Sequence, residues 1–386
     1  MSLRKTARAS LGVLSAVTAL SAVAVPAAMA NEAAPASKHD APAGTHLKLT
    51  LFAAAPTGYK SPDDLTRLGD VLYVAYQNNA AADGTPAGSK TDIVGFDVKT
   101  GKALRHWVLP GRVDGLTADP RNHRLLATVN EDLNSSLYTI TPTRTSGIVQ
   151  HYNYSPSPAQ TGSDGTNGGT DALSVGANGT VYVAHSNPDT SLPGANNTAA
   201  TYTLKLSGST AKLTPLYGVN DTAAVINPAK GAPAKAKLGL TDPDSNRWVP
   251  GRDGGTLIQD AQADSKLVYV SDLDAQHPTV RQLNLVNAKT PSKGAATPQL
   301  DDIEPVSGDG TLFVVDSAAG KIYKADTKGV RPGTLFASQP KPKDGDLPND
   351  PALAVVDQRT GVVTHLDVNV TLQSPKGLLF VPGDQR

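Results

Sequence analysis

The stretch Val113-Asp114-Gly115-Leu116 is one copy of a short motif that recurs along the chain: an Asp, a small or acidic residue, then Leu or Ile. Further copies are Asp63-Asp64-Leu65, Asp171-Ala172-Leu173 and Asp301-Asp302-Ile303, with looser ones at Asp260-Ala261-Gln262 and Lys376-Gly377-Leu378. Recurrence of one motif along a chain is typical of a repeat architecture, in which each repeat is one supersecondary unit.

Each copy is followed by a turn signal and a hydrophobic run, the pattern of two strands joined by a tight turn. The turns include Asn178-Gly179 and Asp309-Gly310, which are strong hairpin signals, and the weaker Gly69-Asp70. The runs are rich in β-branched and aromatic residues, and they are 71–74, 125–128, 181–183, 267–270 and 312–315.

Further strand-like runs complete four-stranded units, and the sequence therefore predicts an all-β fold, a β-propeller. Three units are clear, at 63–109, 114–154 and 171–217; a fourth covers 256–286 and a fifth 301–338. The sixth has runs at 352–357, 362–368 and 375–381, and the run 47–53 supplies its missing strand. Six blades, closed by strands from both termini, is the predicted count, with seven as the alternative. A two-sheet sandwich competes, but it does not explain the constant place of the Asp motif.

The N-terminal residues 1–30 have the features of a secretory signal peptide: basic residues, an apolar stretch and the cleavage site Ala28-Met29-Ala30. Residues 31–46 are rich in Ala and Pro and predict a flexible leader. Residues 47–386 then form a single propeller domain. No segment approaches the roughly 20 consecutive apolar residues of a membrane helix, so the sequence predicts a secreted, extracellular protein without a membrane span.

Composition narrows the function classes. The chain has no Cys, which excludes disulfides, thiolate metal sites and a Cys nucleophile. Its 35 basic and 35 acidic residues cancel, which disfavours nucleic acid as a partner. We expect a monomer with an extracellular ligand or protein as its partner.

The chain resembles secreted six-bladed propellers of the NHL and SMP-30-like (gluconolactonase-like) groups, and more closely uncharacterised secreted actinobacterial propellers. The resemblance covers residues 47–386 and rests on Ser61-Pro62-Asp63-Asp64-Leu65, on the stretch from Val113 to Pro120 and on the stretch from Pro375 to Pro382. Propellers host many unrelated functions, so these motifs specify architecture rather than activity.

In a four-stranded blade, the start of the first strand and the end of the second lie on one face. This geometry predicts an acidic channel mouth built from Asp63, Asp114, Asp171, Asp260 and Asp301, with Lys376 at the sixth place and Asn130, Glu131 and His185 nearby. Clustered carboxylates take up protons or bind a cation. Because these side chains provide only oxygen ligands, Ca²⁺ is the candidate cofactor. The competing interpretation is that each Asp caps its own turn and binds nothing. A surface role is the alternative for His185.

The segment 218–254 reads as an insertion over the same mouth. Its second half contains candidate ligand-binding residues, although it lacks the Gly and Glu of an EF-hand loop. The alternative is an ordered loop anchored by Trp248. The candidates are Asp242, Asp244, Asn246, Arg247, Trp248 and Arg252.

Two functions remain open. The first is a non-catalytic propeller that binds a small molecule, glycan or protein at the acidic mouth, with a structural Ca²⁺. The second is a metal-dependent lactonase or esterase, and the SMP-30-like resemblance implies a channel ion held by a Glu, two Asn and an Asp. The repeated Asp positions depart from that ligand set, so we assign no catalytic residue.

Overall fold

β-branched and aromatic residues dominate the runs that the sequence marks as strands, and the structure forms strands there. The structure is a computed structural model that describes residues 46–144, 148–158, 168–188, 198–288, 297–340 and 351–383. The predicted signal peptide, and the predicted leader except His46, lie outside these ranges. The strands are β1 His46–Leu47, β2 Thr50–Ala54, β3 Pro62–Leu68, β4 Val71–Tyr76, β5 Lys90–Asp97, β6 Ala103–Pro110, β7 Val113–Asp119, β8 Arg124–Val129, β9 Ser136–Ile140, β10 Val149–Ser155, β11 Leu173–Val175, β12 Val181–Ala184, β13 Ala199–Ser207, β14 Thr210–Gly218, β15 Thr222–Val225, β16 Lys235–Lys237, β17 Pro243–Val249, β18 Thr256–Ala261, β19 Lys266–Ser271, β20 Thr279–Asn284, β21 Val286–Asn287, β22 Asp302–Val306, β23 Gly310–Asp316, β24 Lys321–Asp326, β25 Thr334–Gln339, β26 Ala352–Val356, β27 Val362–His365, β28 Asp367–Val368 and β29 Pro375–Pro382.

Helical structure in the described ranges is limited to two short 3₁₀ turns, Pro120–Asn122 and Gln262–Asp264. Within the same ranges, no helix has the length and apolar character needed to cross a membrane.

The first three predicted units are confirmed as antiparallel sets of four strands. They are β3 to β6, β7 to β10 and β11 to β14, each paired in chain order. Tight turns hold this order: Leu68 pairs with Val71 across Gly69-Asp70, and Gly69 adopts a φ of 64°, which glycine tolerates. The second and third sets also join through parallel pairing of β10 with β14.

The fourth set differs from the prediction. Its innermost strand is β17, which pairs with β18, so the strands at 256–284 are its second to fourth strands. The segment 218–254 is therefore not an insertion. It supplies β17 together with β15 and β16, and β15 extends the outer edge by parallel pairing with β20. The sequence did not predict β17 because the run Asp244-Ser245-Asn246-Arg247 lacks the alternation of apolar and polar residues that is typical of a half-buried strand. These residues lie in a polar interior.

The predicted fifth unit at 301–338 and the predicted sixth unit at 352–381 are both wrong, because the last two sets exchange strands. β22 pairs with β25, which continues to β26 and β27. The intervening β23 and β24 pair instead with β29 and β2. Asp309-Gly310 therefore connects two sheets and does not form a hairpin. The prediction that strands from both termini meet is confirmed, since β2 and β29 belong to one sheet.

The innermost strands form a closed ring in the described residues. They contact one another in the order β3, β7, β11, β17, β22, β29 and back to β3. Hydrophobic clusters fill the spaces between successive sheets; one, for example, joins Tyr73 of β4 to Leu125 of β8. Radial sheets around a ring of inner strands are the architecture of a β-propeller, and a two-sheet sandwich has no such ring.

Candidate functional site

One side chain at or just before the start of each inner strand lies at an equivalent place in its sheet. The register makes this equivalence visible, because Pro62 and Leu65 of β3 flank a bulge, as do Val113 and Leu116 of β7 and Pro243 and Asn246 of β17. The equivalent positions are Asp63, Asp114, Asp171, Asp244, Asp301 and Lys376, which we call the mouth ring. The prediction that Asp260 takes this position in the fourth set is therefore wrong, because Asp244 of β17 takes it and Asp260 lies on β18.

One side of the mouth ring is neutralised by Lys376. Its Nζ lies 2.8 Å from Asp63 Oδ1 and 3.2 Å from Asp301 Oδ1. Burial lowers the pKa of Lys376, but Asp301 and Asp63 outweigh that effect and hold it well above the usual range. For Asp301, burial raises the pKa and Lys376 lowers it, with a result of about 6.

Arg112 neutralises the next part of the mouth. Its guanidinium lies 2.8 Å from Asp114 Oδ1 and 3.2 Å from Glu131 Oε1. The Gln77 amide joins the two groups, because Nε2 donates to Asp63 Oδ2 and Asp114 Oδ1 at 2.8 and 2.9 Å. A continuous polar chain therefore runs from Asp301 to Glu131.

The opposite side is different, and we call Asp171, Asp244 and Asp260 the acidic half. None of the three forms an ion pair with a Lys or Arg of the described residues. Burial raises the pKa of Asp171 and of Asp244 well above the usual range, and neighbouring carboxylates, with Asp242 acting on both, raise it further.

Asp260 is the most unusual member. It lies on β18 opposite Leu267 and is fully buried. Neither of its carboxylate oxygens accepts a well-formed hydrogen bond among the described residues, although the adjacent Ala261 N–H lies close enough to oppose part of the rise in its pKa. Burial raises the pKa of Asp260 well above its usual range, and Asp242 and Asp301 add to the effect. Buried polar groups are normally hydrogen-bonded, so these two oxygens call for an explanation.

A second charged network lies below the mouth ring and centres on Arg247. This residue is on β17, not in a loop, and its guanidinium is 2.6 Å from Asp302 Oδ2 and 2.8 Å from Glu304 Oε2. It also donates to the Leu378 carbonyl oxygen. Burial raises the pKa of Glu304 and Arg247 lowers it, leaving it at about 7. Arg247 therefore ties three inner strands together beneath the mouth.

Asn130 and His185 have structural partners. Asn130, with a φ of 63°, accepts a hydrogen bond from the Arg112 backbone N–H, as Asn78 does from that of Lys60. His185 is fully buried, with ring nitrogens 2.8 Å from the Ala199 oxygen and 3.1 Å from the Pro158 oxygen, and burial lowers its pKa. His185 is thus not the exposed residue that the surface alternative described.

The remaining predicted ligand residues do not gather at one point. Trp248 Nε1 donates to the Gly254 oxygen, Asn246 Nδ2 donates to the Ala172 oxygen, and Arg252 is exposed. Sequence reasoning missed Arg112 and Glu304. The signal for Arg112 was its place directly before Val113-Asp114, whereas Glu304 offered none.

The described ranges contain no group of three or more His, Cys, Asp or Glu side chains positioned to hold a metal ion. The predicted Ca²⁺ therefore stays a prediction. What the residues present do offer is an oxygen-only donor set with two partnerless oxygens on Asp260, a set that suits a hard cation.

No protein-family model matches the chain, and no curated protein matches it. Solved structures with a similar fold include the calcium-binding protein regucalcin from Agrobacterium tumefaciens, at 11% identity and a TM-score of 0.42, covering 85% of this chain and 81% of that one. Virginiamycin B lyase from Staphylococcus aureus is 10% identical with a TM-score of 0.44, covering 87% and 94%. A protein of unknown function from Bacteroides caccae is 11% identical with a TM-score of 0.46, covering 85% and 89%. Likeness at this level assigns no family or activity to the chain.

Proposed function

We propose that the protein is a secreted, six-bladed propeller that binds a ligand at its channel mouth and holds a Ca²⁺ ion in the acidic half. The proposed count of six is supported by six inner strands that contact one another in a ring and carry one equivalent position each. Secretion is supported by the signal-like residues 1–30.

The observation that carries the proposal is the uneven distribution of counter-charges. Lys376 and Arg112 accompany Asp63, Asp301 and Asp114, whereas Asp171, Asp244 and Asp260 lack such a partner among the described residues. Isolated buried charges are strongly unfavourable, and a cluster of carboxylates either binds protons or a cation. A divalent cation offsets the repulsion without a change in the fold.

Ca²⁺ suits this donor set because it accepts about six to eight oxygens in flexible geometry. Asp171, Asp244 and Asp260 would have to close around the ion, because no three such side chains in the described residues are already positioned to hold one. Asp242 lies close enough to contribute to the field. The bound ion would supply positive charge at the mouth and so attract ligands with carboxylate, hydroxyl or carbonyl oxygens.

Calorimetric titration of the purified protein with CaCl₂, after chelator treatment, tests the proposal. We expect saturable binding that Asp244→Asn weakens strongly. The matched control is Asp70→Asn, because Asp70 is 81% exposed in the turn after β3, and binding should be unchanged there. No heat of binding, or equal loss in both variants, would contradict the proposal.

A second candidate is a metal-dependent lactone or ester hydrolase, which the pKa of Asp301 favours. A carboxylate with a pKa of about 6 is suited to accept a proton near neutral pH. Turnover of lactone and ester substrates, abolished in Asp301→Asn while Ca²⁺ affinity is kept, would establish the enzyme. Ca²⁺ binding without turnover of any of these substrates would favour the non-catalytic binding protein over the hydrolase.

A further inference from the structure

A second cavity opens on the same face as the mouth but outside the mouth ring. It has a volume of about 690 Å³ and lies between the segment 54–61, the turn 317–321 and Ser374. Ser61 directly precedes β3 and Ser374 directly precedes β29. The cavity therefore lies where the sheet of β2, β24, β23 and β29 meets the sheet of β3 to β6. We call it the seam pocket.

The charge that faces the seam pocket is positive. Lys60 and Lys321 line it, both are exposed, and neither forms an ion pair within the described ranges. No Asp or Glu is among the lining residues. The nearby Asp316 is fully buried, and its oxygens accept hydrogen bonds from the backbone N–H groups of Ala319, Gln373 and Ser374.

Both lysines extend from fixed backbone. Lys60 exchanges hydrogen bonds with Asn78, whose Oδ1 accepts from the Lys60 N–H and whose N–H donates to the Lys60 oxygen. Lys321 begins β24 and pairs with Asp316 and Ala54. Only the side chains have to be ordered when a ligand binds, which keeps the entropic cost of binding small.

The pocket also provides neutral donors and a flat apolar wall. The hydroxyl groups of Ser317 and Ser374 make no hydrogen bond in the part of the chain that the structure describes. The Tyr59 ring forms the wall and is held by Tyr76 and His106, with ring centroids 5.8 and 6.1 Å away. Two ammonium groups with adjacent hydroxyl donors match an oxyanion, whose oxygens accept several charge-assisted hydrogen bonds.

We propose that the seam pocket binds the oxyanion group, a carboxylate or a phosphate, of a small ligand. The site is separate from the acidic half, because Lys376 and its partners Asp63 and Asp301 lie between the two. A neutral polyol would leave both ammonium groups without a partner, and a cation would be repelled by them.

Titration of the purified protein at low salt, followed by NMR or calorimetry, tests the proposal with inorganic phosphate, D-glucuronate and uncharged D-glucose. We expect saturable binding of at least one oxyanion and weaker or no binding of glucose. Lys60→Gln and Lys321→Gln should each weaken binding about threefold, and the double variant about tenfold, the size expected for exposed charge pairs. Added salt should weaken it further.

Lys328→Gln is the matched control, because Lys328 is an exposed lysine just beyond the opposite end of β24. The proposal would be overturned if Lys328→Gln weakened oxyanion binding as much as Lys60→Gln and Lys321→Gln do. It would also be overturned if glucose bound with the affinity of glucuronate, or if neither oxyanion bound. Asp244→Asn should leave oxyanion binding intact, so failure here is distinguishable from failure of the Ca²⁺ proposal.

Discussion

At the residue scale, the position of an acid relative to its strand decides what it does. Asp316 follows the same pattern of an Asp at a strand end, yet backbone N–H groups occupy both of its oxygens. Asp260 is equally buried and accepts no well-formed hydrogen bond among the described residues. The first illustrates the turn-capping role expected of many Asp residues, and the second indicates a site that needs an additional positive group or proton.

Replacing Asp260 tests this difference. Without divalent cations, Asp260→Asn should raise the melting temperature by a few degrees, because a neutral amide is less costly to bury than a partnerless carboxylate. The same variant should lose the stabilisation that Ca²⁺ gives the wild-type protein. Thermal unfolding with and without CaCl₂ measures both effects, and Asp70→Asn serves as the exposed control. A variant less stable than the wild type that still responds to Ca²⁺ would speak against a role for Asp260.

At the element scale, the inner strands approach one another at the residue that follows the mouth ring. Asp64 Oδ2 accepts a hydrogen bond from the Leu116 N–H, and Asp302 Oδ2 accepts one from the Leu378 N–H. At Gly377 the neighbouring backbone itself fills the space, since an added Cβ would collide with the backbone oxygen of Asp63. At this position Asp64 and Asp302 each reach the next inner strand, whereas Gly115 and Gly377 let the neighbouring backbone come close.

Gly377→Ala should destabilise the fold by about 1–3 kcal/mol, because a Cβ in contact with fixed backbone forces two inner strands apart. Gly251→Ala is the control, as its Cβ would meet its nearest atom at an ordinary 3.5 Å. Urea unfolding compares the two free energies of unfolding. Equal values would show that the inner strands separate without cost.

The sequence predicted elements well wherever neighbours in the chain are also neighbours in a sheet. The first three sheets follow this rule, with turns such as Gly69-Asp70 fixing the pairing. β17 was missed because a strand surrounded by polar groups shows no apolar alternation. The exchange of β23 and β24 was missed because no local sequence signal states that β22 pairs with the distant β25, or that β23 pairs with the C-terminal β29 rather than with β22.

The candidate site was predictable in part for the same reason. Asp63, Asp114, Asp171 and Asp301 could be placed at one mouth because each lies within two residues of the start of an inner strand, and the structure brings them near one another. Which carboxylates meet Arg112 or Lys376 depends on contacts between sheets, and these are long-range in sequence. The division of the mouth into neutralised and acidic halves therefore emerged only from the folded structure.

At the scale of the whole molecule, β2 closes the ring by joining a sheet that ends with the C-terminal strand. Phe52 of β2 packs edge-on against Phe313 with ring centroids 5.0 Å apart, in the cluster that joins this sheet to the sheet of β3. β2 pairs with β24 and so covers the outer edge that β24 would otherwise expose, which protects against edge-to-edge association.

Phe52→Ala should lower the free energy of unfolding by about 3 kcal/mol, the usual cost of removing a buried phenyl ring. Leu51→Ala on the same strand is the control, because Leu51 is 56% exposed and its loss should change stability by less than about 0.5 kcal/mol. Chemical unfolding measures both. A small effect of Phe52→Ala would show that β2 is not needed for closure.

The charged network under the mouth makes stability depend on pH. Burial is the main cause that raises the pKa of Asp64 to about 8 and that of Glu304 to about 7, with Arg247 opposing it. Between the unfolded and folded pKa values, the folded state binds more protons than the unfolded state, so stability falls as the pH rises from about 4 to about 8. We expect a higher melting temperature at pH 5 than at pH 8.5.

Glu304→Gln should reduce that dependence between about pH 4.5 and 7, because it removes one of the carboxyl groups whose pKa the fold raises. Melting curves across this range decide the matter. A melting temperature that increases steadily up to pH 8 would show that carboxylates with lowered pKa values dominate instead.

The central claim is that a cation occupies the acidic half of the mouth. The most direct test is a crystal of the protein grown with CaCl₂ and measured at a wavelength where calcium scatters anomalously. We predict an anomalous peak among Asp171, Asp244 and Asp260. A fully ordered mouth without a peak, or a peak only beside Asp63 and Asp114, would contradict the account.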